Sequence, residues 1–162
     1  MSNGSRGGGF LEQYERTLRW FEQFKRISEG QEHTQNSDHY EDIMRAFFEN
    51  CYHLKDWIKN DPQSKIPPQD IEDFINNTPS MRICADIANS QKHLRLSPGR
   101  ERSQEDPTPG PRHFTLSLGG GPPYGQVSYT ISTLSGPLDA FHLARECVDA
   151  WKAFLGQHGH ST

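Results

Sequence analysis

At 162 residues the chain is long enough for one domain with a hydrophobic core and too short for two comfortable ones. A net charge of −4 and a pI near 6.0 exclude attraction to nucleic acid through an overall basic surface, which leaves only a local basic patch for that purpose. No window approaches the roughly 20 apolar residues of a membrane span, and Met1 to Gly9 is rich in Gly and Ser without an apolar core, so a soluble cytoplasmic protein with a disordered segment at 1–9 is expected.

Apolar residues at Phe10, Leu11, Tyr14, Leu18, Phe21, Phe24 and Ile27 fall at three- and four-residue spacing and predict a first amphipathic helix that ends at Gly30. Asn36 or Ser37 caps a second helix running to Asn60, with Tyr40, Ile43, Met44, Phe47, Cys51, Leu54 and Ile58 on its buried side. Three prolines between Asp61 and Pro68 interrupt it, and Gln69 to Asn76 offers one or two short turns. Thr78-Pro79 opens a third long helix reaching about Leu94 to Leu96, since Thr caps and Pro suits the first helical position.

Residues 97–111 hold four prolines and two glycines among alternating charges and read as a flexible loop. Beyond it, Phe114, Leu116 and Leu118, then Val127, Tyr129 and Ile131, alternate with polar residues and predict a β-hairpin over 112–132. Ser135-Gly136-Pro137 opens a last helix with Leu138, Phe141, Ala144, Cys147, Val148, Trp151 and Leu155 on its apolar side. The expected fold is mostly α: a bundle of four long helices with a β-hairpin before the last, forming a single domain over 10–162.

Two helical stretches carry matching polar stripes. Glu49, His53, Asp56 and Asn60 on the second helix, and Arg82, Asp86, Asn89 and His93 on the third, each step by four, three and four residues and therefore share a helix face. Asn, Asp and His are poor helix formers, so their presence on a face that Lys, Glu and Gln would fill more cheaply needs another reason. In a solvent face, Arg82 and Asp86 form an ion pair; in a packing network, the stripe fixes helix contacts. In a site, His93 moves a proton, Asp86 and Asn89 orient it or a ligand, and Arg82 holds an anion. With the two stripes turned toward one cleft, His53, Asp56 and Glu49 supply ligand contacts.

Other features carry less chemistry. These helices lack the Glu-x-x-His pairs of di-iron bundles, and Cys51, Cys84 and Cys147 are far apart and outside any C-x-x-C pair, so no metal site and no cofactor are expected. The three cysteines read as small buried hydrophobes, which suits a reducing compartment. Pro122 and Pro123 remove donors from Gly119-Gly120-Gly121, which reads as a hairpin loop, and His142, Glu146 and Asp149 read as solvent residues.

The run from Phe47 to Trp57 resembles that of uncharacterised bacterial proteins, and Cys84 to His93, ending Asn89-x-x-Lys92-His93, resembles helical HEPN-type domains. The resemblance covers about residues 40 to 96. It implies a helical bundle, often a homodimer, acting on RNA as a metal-independent ribonuclease or binding a nucleotide in a bacterial defence or toxin–antitoxin setting. His93 and Asn89 are the residues it carries over, with Arg82, Asp86, His53 and Asp56 as further candidates. The competing readings are a non-enzymatic module whose stripes meet a protein partner, and a bundle that binds a metal or small ligand.

Overall fold

The computed structural model describes residues 8–33, 36–93 and 102–162, with the side chains at 37 and 91–93 outside that description. Five α-helices and four short or medium strands occur among these residues: α1 Phe10–Glu29, β1 Gln31–Glu32, α2 Ser37–Asn60, α3 Pro68–Asn77, α4 Pro79–His93, β2 Thr108–Ser117, β3 Tyr124–Thr133, β4 Gly136–Asp139 and α5 Ala140–Gln157. The mostly helical architecture and the hairpin before the last helix agree with the sequence reading; the helix count, the extra strands and several boundaries do not.

Each departure has a local cause. The segment after Pro68 forms a ten-residue helix and not one or two turns, because Pro68 sits where its missing N–H costs nothing and Ile71 and Ile75, one turn apart, are both fully buried. The hairpin begins inside the expected 97–111 loop, at Thr108, and the proline-bearing strand β2 is tolerated at the sheet edge, where a register shift falls between Pro109 and Arg112. Gly136 to Asp139 pairs with β3 as β4, so the last helix starts at Ala140 and not near Ser135; the Asp139 side chain accepts from His142 N at 2.7 Å and caps it. The remainder of the expected loop, 97–101, and the expected disordered stretch up to residue 7 lie outside the described residues.

Helix α2 is central and touches α1, α3, α4 and α5. Its start is the expected one: Asn36 accepts from His39 N at 3.0 Å, with Asp38 in the first turn against the positive end of the dipole. Its end is shared, because the Asp61 carboxylate accepts from Phe10 N at 3.0 Å and so caps α1 as well. Phe24 packs against Phe47, Phe48 and Phe141 with ring centroids 5.5 to 6.2 Å apart, which joins α1, α2 and α5 in one aromatic core. Trp151 on α5 meets Phe74 on α3 and donates its indole N–H to Cys51 O at 3.0 Å.

In the sheet, β3 pairs with β2 along one side and with β1 and β4 along the other, all antiparallel. Val127, Tyr129 and Ile131 alternate inward from β3 and are buried, while β2 is exposed along nearly its whole length. Gly30, at φ 108°, lets α1 turn into β1; a Cβ there would lie 2.3 Å from the Tyr124 ring, whose hydroxyl donates to Gly30 O at 2.7 Å. No helix among the described residues is long and apolar enough to cross a membrane.

An ion cluster ties the bundle to the segment before β2. Glu72 on α3 accepts from Lys59 of α2 and from Arg102, which also donates to Asn76 Oδ1 at 2.9 Å. The Lys59 hydrogen bond outweighs the cost of partial burial and, with Arg102, holds the Glu72 carboxyl down at about 2. A carboxylate whose pKa is depressed by folding adds stability above its unfolded value of 4.5, and that stability is lost as pH falls from about 4.5 toward 2. Glu72→Gln is therefore expected to flatten the acid limb of the stability curve in that window and to leave its shape above pH 6 unchanged. Urea melts at stepped pH test this; a parallel acid limb in wild type and variant would refute it.

Candidate functional site

The α2 stripe faces outward. Glu49 is exposed; His53 is half-buried beside the Tyr52 ring, with centroids 5.9 Å apart. Asp56 accepts from Lys55 at 2.9 Å, and the Asn60 amide donates back to Asp56 O at 2.8 Å. Asp56 and Asn60 border an open hollow of about 450 Å³ together with Gly9 and Trp57.

The α4 stripe divides along its length. Asp86, expected on the polar face, is completely buried because residues 102 and 103 lie over it. Its two carboxylate oxygens accept from Arg102 N at 2.7 Å and from Ser103 N at 2.9 Å, and the Ser103 hydroxyl donates to it as well. These bonds take the place of the four-residue pair with Arg82. Arg82 is half-buried, and its Nε has no hydrogen-bond partner among the described residues. Asn89 is half-buried, and the His93 side chain lies outside the described residues.

A larger cavity of about 650 Å³ opens elsewhere, between the first half of α2, the middle of α4 and the sheet. Met44, Phe48, Ile87 and Ile131 make its apolar wall, and none of the stripe residues with described side chains lines it. The polar side is built around Glu41. Arg45, one turn along α2, donates to Glu41 Oε1 from Nε at 3.0 Å and Nη2 at 2.6 Å; Arg112 from β2 donates to Oε2 at 3.2 Å. Two guanidiniums thus share one carboxylate, each keeps N–H groups beyond those bonds, and Asp106 at the cavity's end balances the remaining positive charge.

Tyr129 reaches this cavity from β3. Its side chain is about 6% exposed and its hydroxyl has no hydrogen-bond partner among the described residues. Burial, reinforced by the Glu41 charge, pushes its pKa up to about 12, so at neutral pH the hydroxyl is a proton donor. A buried, unpaired O–H costs about 1 to 3 kcal/mol, a cost that an acceptor on a ligand would relieve.

The 102–107 segment closes one end of the cavity, where Asp106 and Pro107 lie. It is held by Asp86 on α4 and by Glu105, whose carboxylate accepts from Ser135 N at 2.9 Å and from the Ser135 hydroxyl at 2.6 Å. Those bonds keep the Glu105 carboxyl below its usual range. Gln104 and Asp106 take left-handed backbone angles, φ 58° and 43°, so this wall is strained as well as anchored.

Cys51, Cys84 and Cys147 converge in the core. One comes from each of α2, α4 and α5; all are fully buried, and their sulfurs lie within 4.8 Å of one another. The sequence reading of buried apolar positions agrees with that burial and missed the meeting, because helical phase places each residue on an inner face without saying which inner faces share a level. A usable signal is present nonetheless: the cysteines occur once each on α2, α4 and α5, three helices that pack against one another. The chain matches no protein-family model, no curated protein and no solved structure.

Proposed function

We propose that the protein binds a small organic anion, of the size and type of a nucleoside monophosphate, in the cavity between α2, α4 and the sheet. The unpaired Tyr129 hydroxyl is the observation that carries this reading: it is a buried donor on a residue that lines the cavity, and the described residues supply it no acceptor. The cavity volume of about 650 Å³ falls within the range of ligand pockets. Arg45 and Arg112 suit a phosphate or carboxylate, while Met44, Phe48, Ile87 and Ile131 suit a flat, weakly polar body. The three free thiols fit a reducing, cytoplasmic setting.

Calorimetric titration with the four ribonucleoside 5′-monophosphates, and with inorganic phosphate as the anion alone, tests the proposal. Saturable binding of at least one monophosphate, tighter than phosphate, is expected, and Arg112→Ala should weaken it about tenfold, or about 1.4 kcal/mol. Heats that never saturate, or equal affinity for phosphate and monophosphates, would overturn it. RNA cleavage in EDTA that disappears in His93→Ala, without monophosphate binding, would move the function to the α2 and α4 stripes, as the HEPN resemblance implies.

A further inference from the structure

We infer that Cys51, Cys84 and Cys147 form a buried, sulfur-only binding site for a single copper(I) ion, separate from the ligand cavity. Three features of the cluster carry this. The sulfurs already lie within 4.8 Å of one another, on three helices that are fixed by the rest of the core. One ion bonded to all three at about 2.3 Å would set them about 4.0 Å apart, so ligation asks for less than about 1 Å of contraction. No His, Asp or Glu among the described residues joins the group, so the donor set is wholly soft.

That donor set selects among metals. Thiolates favour copper(I) and zinc over the harder divalent ions. Structural zinc takes four ligands in a tetrahedron, and the cluster offers three sulfurs; the neighbouring carbonyls of Phe48 and Ser80 are spent as acceptors, from Cys84 Sγ at 3.6 Å and Cys147 Sγ at 3.5 Å. Copper(I), a closed-shell monovalent ion, is satisfied by two or three sulfurs and has no need of water, which this core excludes.

Charge points the same way. Burial alone would raise every thiol in the cluster, and Cys84 and Cys147 are pushed up by it. At Cys51 the polar surroundings of Cys147, Cys84 and Trp151 draw the thiol down against the cost of burial. Copper(I) that enters as one S–H proton leaves to solvent exchanges one positive charge for another, so the charge of the buried cluster is unchanged, whereas a divalent ion displacing one proton would raise it by one.

The site is sealed, so loading accompanies folding or a local opening. The test is to refold the full chain under anaerobic conditions with copper(I) supplied as its acetonitrile complex, then to strip loose metal with a copper(I) chelator and desalt. One copper per chain is expected, with a sulfur-only shell of two or three atoms by X-ray absorption and a higher melting temperature than the metal-free protein. Cys84→Ala and Cys147→Ala should each lower retained copper at least tenfold while keeping the helical circular dichroism. Because truncation in the core risks misfolding, the wild-type absorption spectrum stands as an independent readout. Nitrogen or oxygen ligands, copper well below one per chain, or zinc retained under the same treatment where copper is lost would each overturn the assignment.

Discussion

Asp86→Asn is expected to cost about 3 kcal/mol of folding stability and to lower the melting temperature by about 10 °C. The carboxylate is fully buried and both of its oxygens accept, from the amides of Arg102 and Ser103 and from the Ser103 hydroxyl. An amide in its place keeps the shape but turns one acceptor into a donor facing N–H groups, which leaves buried donors unpaired. The consequence is local as well as global. With Asp86 lost as an anchor, the segment from 102 to 107 keeps the Arg102 contacts to Glu72, Asn76 and the Tyr52 ring and the Glu105 contacts to residues 134 and 135. Amide hydrogen exchange should therefore accelerate at 102 and 103 ahead of the helices. Binding at the neighbouring cavity should weaken too, because Asp106 and Pro107 belong to its wall. Unchanged protection at 102 and 103, with a stability loss below about 0.5 kcal/mol, would show that Asp86 does not hold this segment.

This residue also shows what a sequence can and cannot reveal. Helical phase puts Asp86 in one stripe with Arg82 and Asn89, and residue type marks it as unusual for a solvent face; the structure buries it completely while Arg82 and Asn89 stay half-buried. What covers it is a segment 16 residues further on, rich in charge and proline, whose path no periodicity encodes. The long helices were legible because each carries an apolar stripe and a local start signal, such as Asn36 or Thr78-Pro79. Strands β1 and β4 were not, since two and four residues are too few to show alternation and both form only because β3 offers free edges. The cavity escaped for a related reason. Glu41 and Arg45 look like an ordinary surface pair on α2, and Tyr129 looks like any inward strand residue, until Arg112 and the apolar wall are brought beside them. The cysteines repeat the lesson in the core: burial of each was readable, while their convergence belongs to the packing of α2, α4 and α5.

Tyr129→Phe separates a ligand-binding role from a structural one by the sign of its two effects. In the free protein the change removes a buried hydroxyl that has no partner among the described residues and keeps the ring, so stability should rise by about 1 kcal/mol. Affinity for the nucleoside monophosphate should fall by at least about tenfold, because the donor that would meet the ligand's acceptor is gone. A ring that merely packs predicts no such opposition: its substitution would leave binding alone. A hydroxyl bonded through water to the backbone predicts the reverse in the free state, a loss of stability with little change in affinity. Urea unfolding of wild type and variant, each with and without saturating monophosphate, measures both effects in one experiment. Ligand should raise the wild-type midpoint through preferential binding to the folded state, and the same concentration should move the variant's much less. A variant that is less stable when free and equally stabilised by ligand would remove Tyr129 from the site, and with it the main reason for placing a ligand between α2, α4 and the sheet.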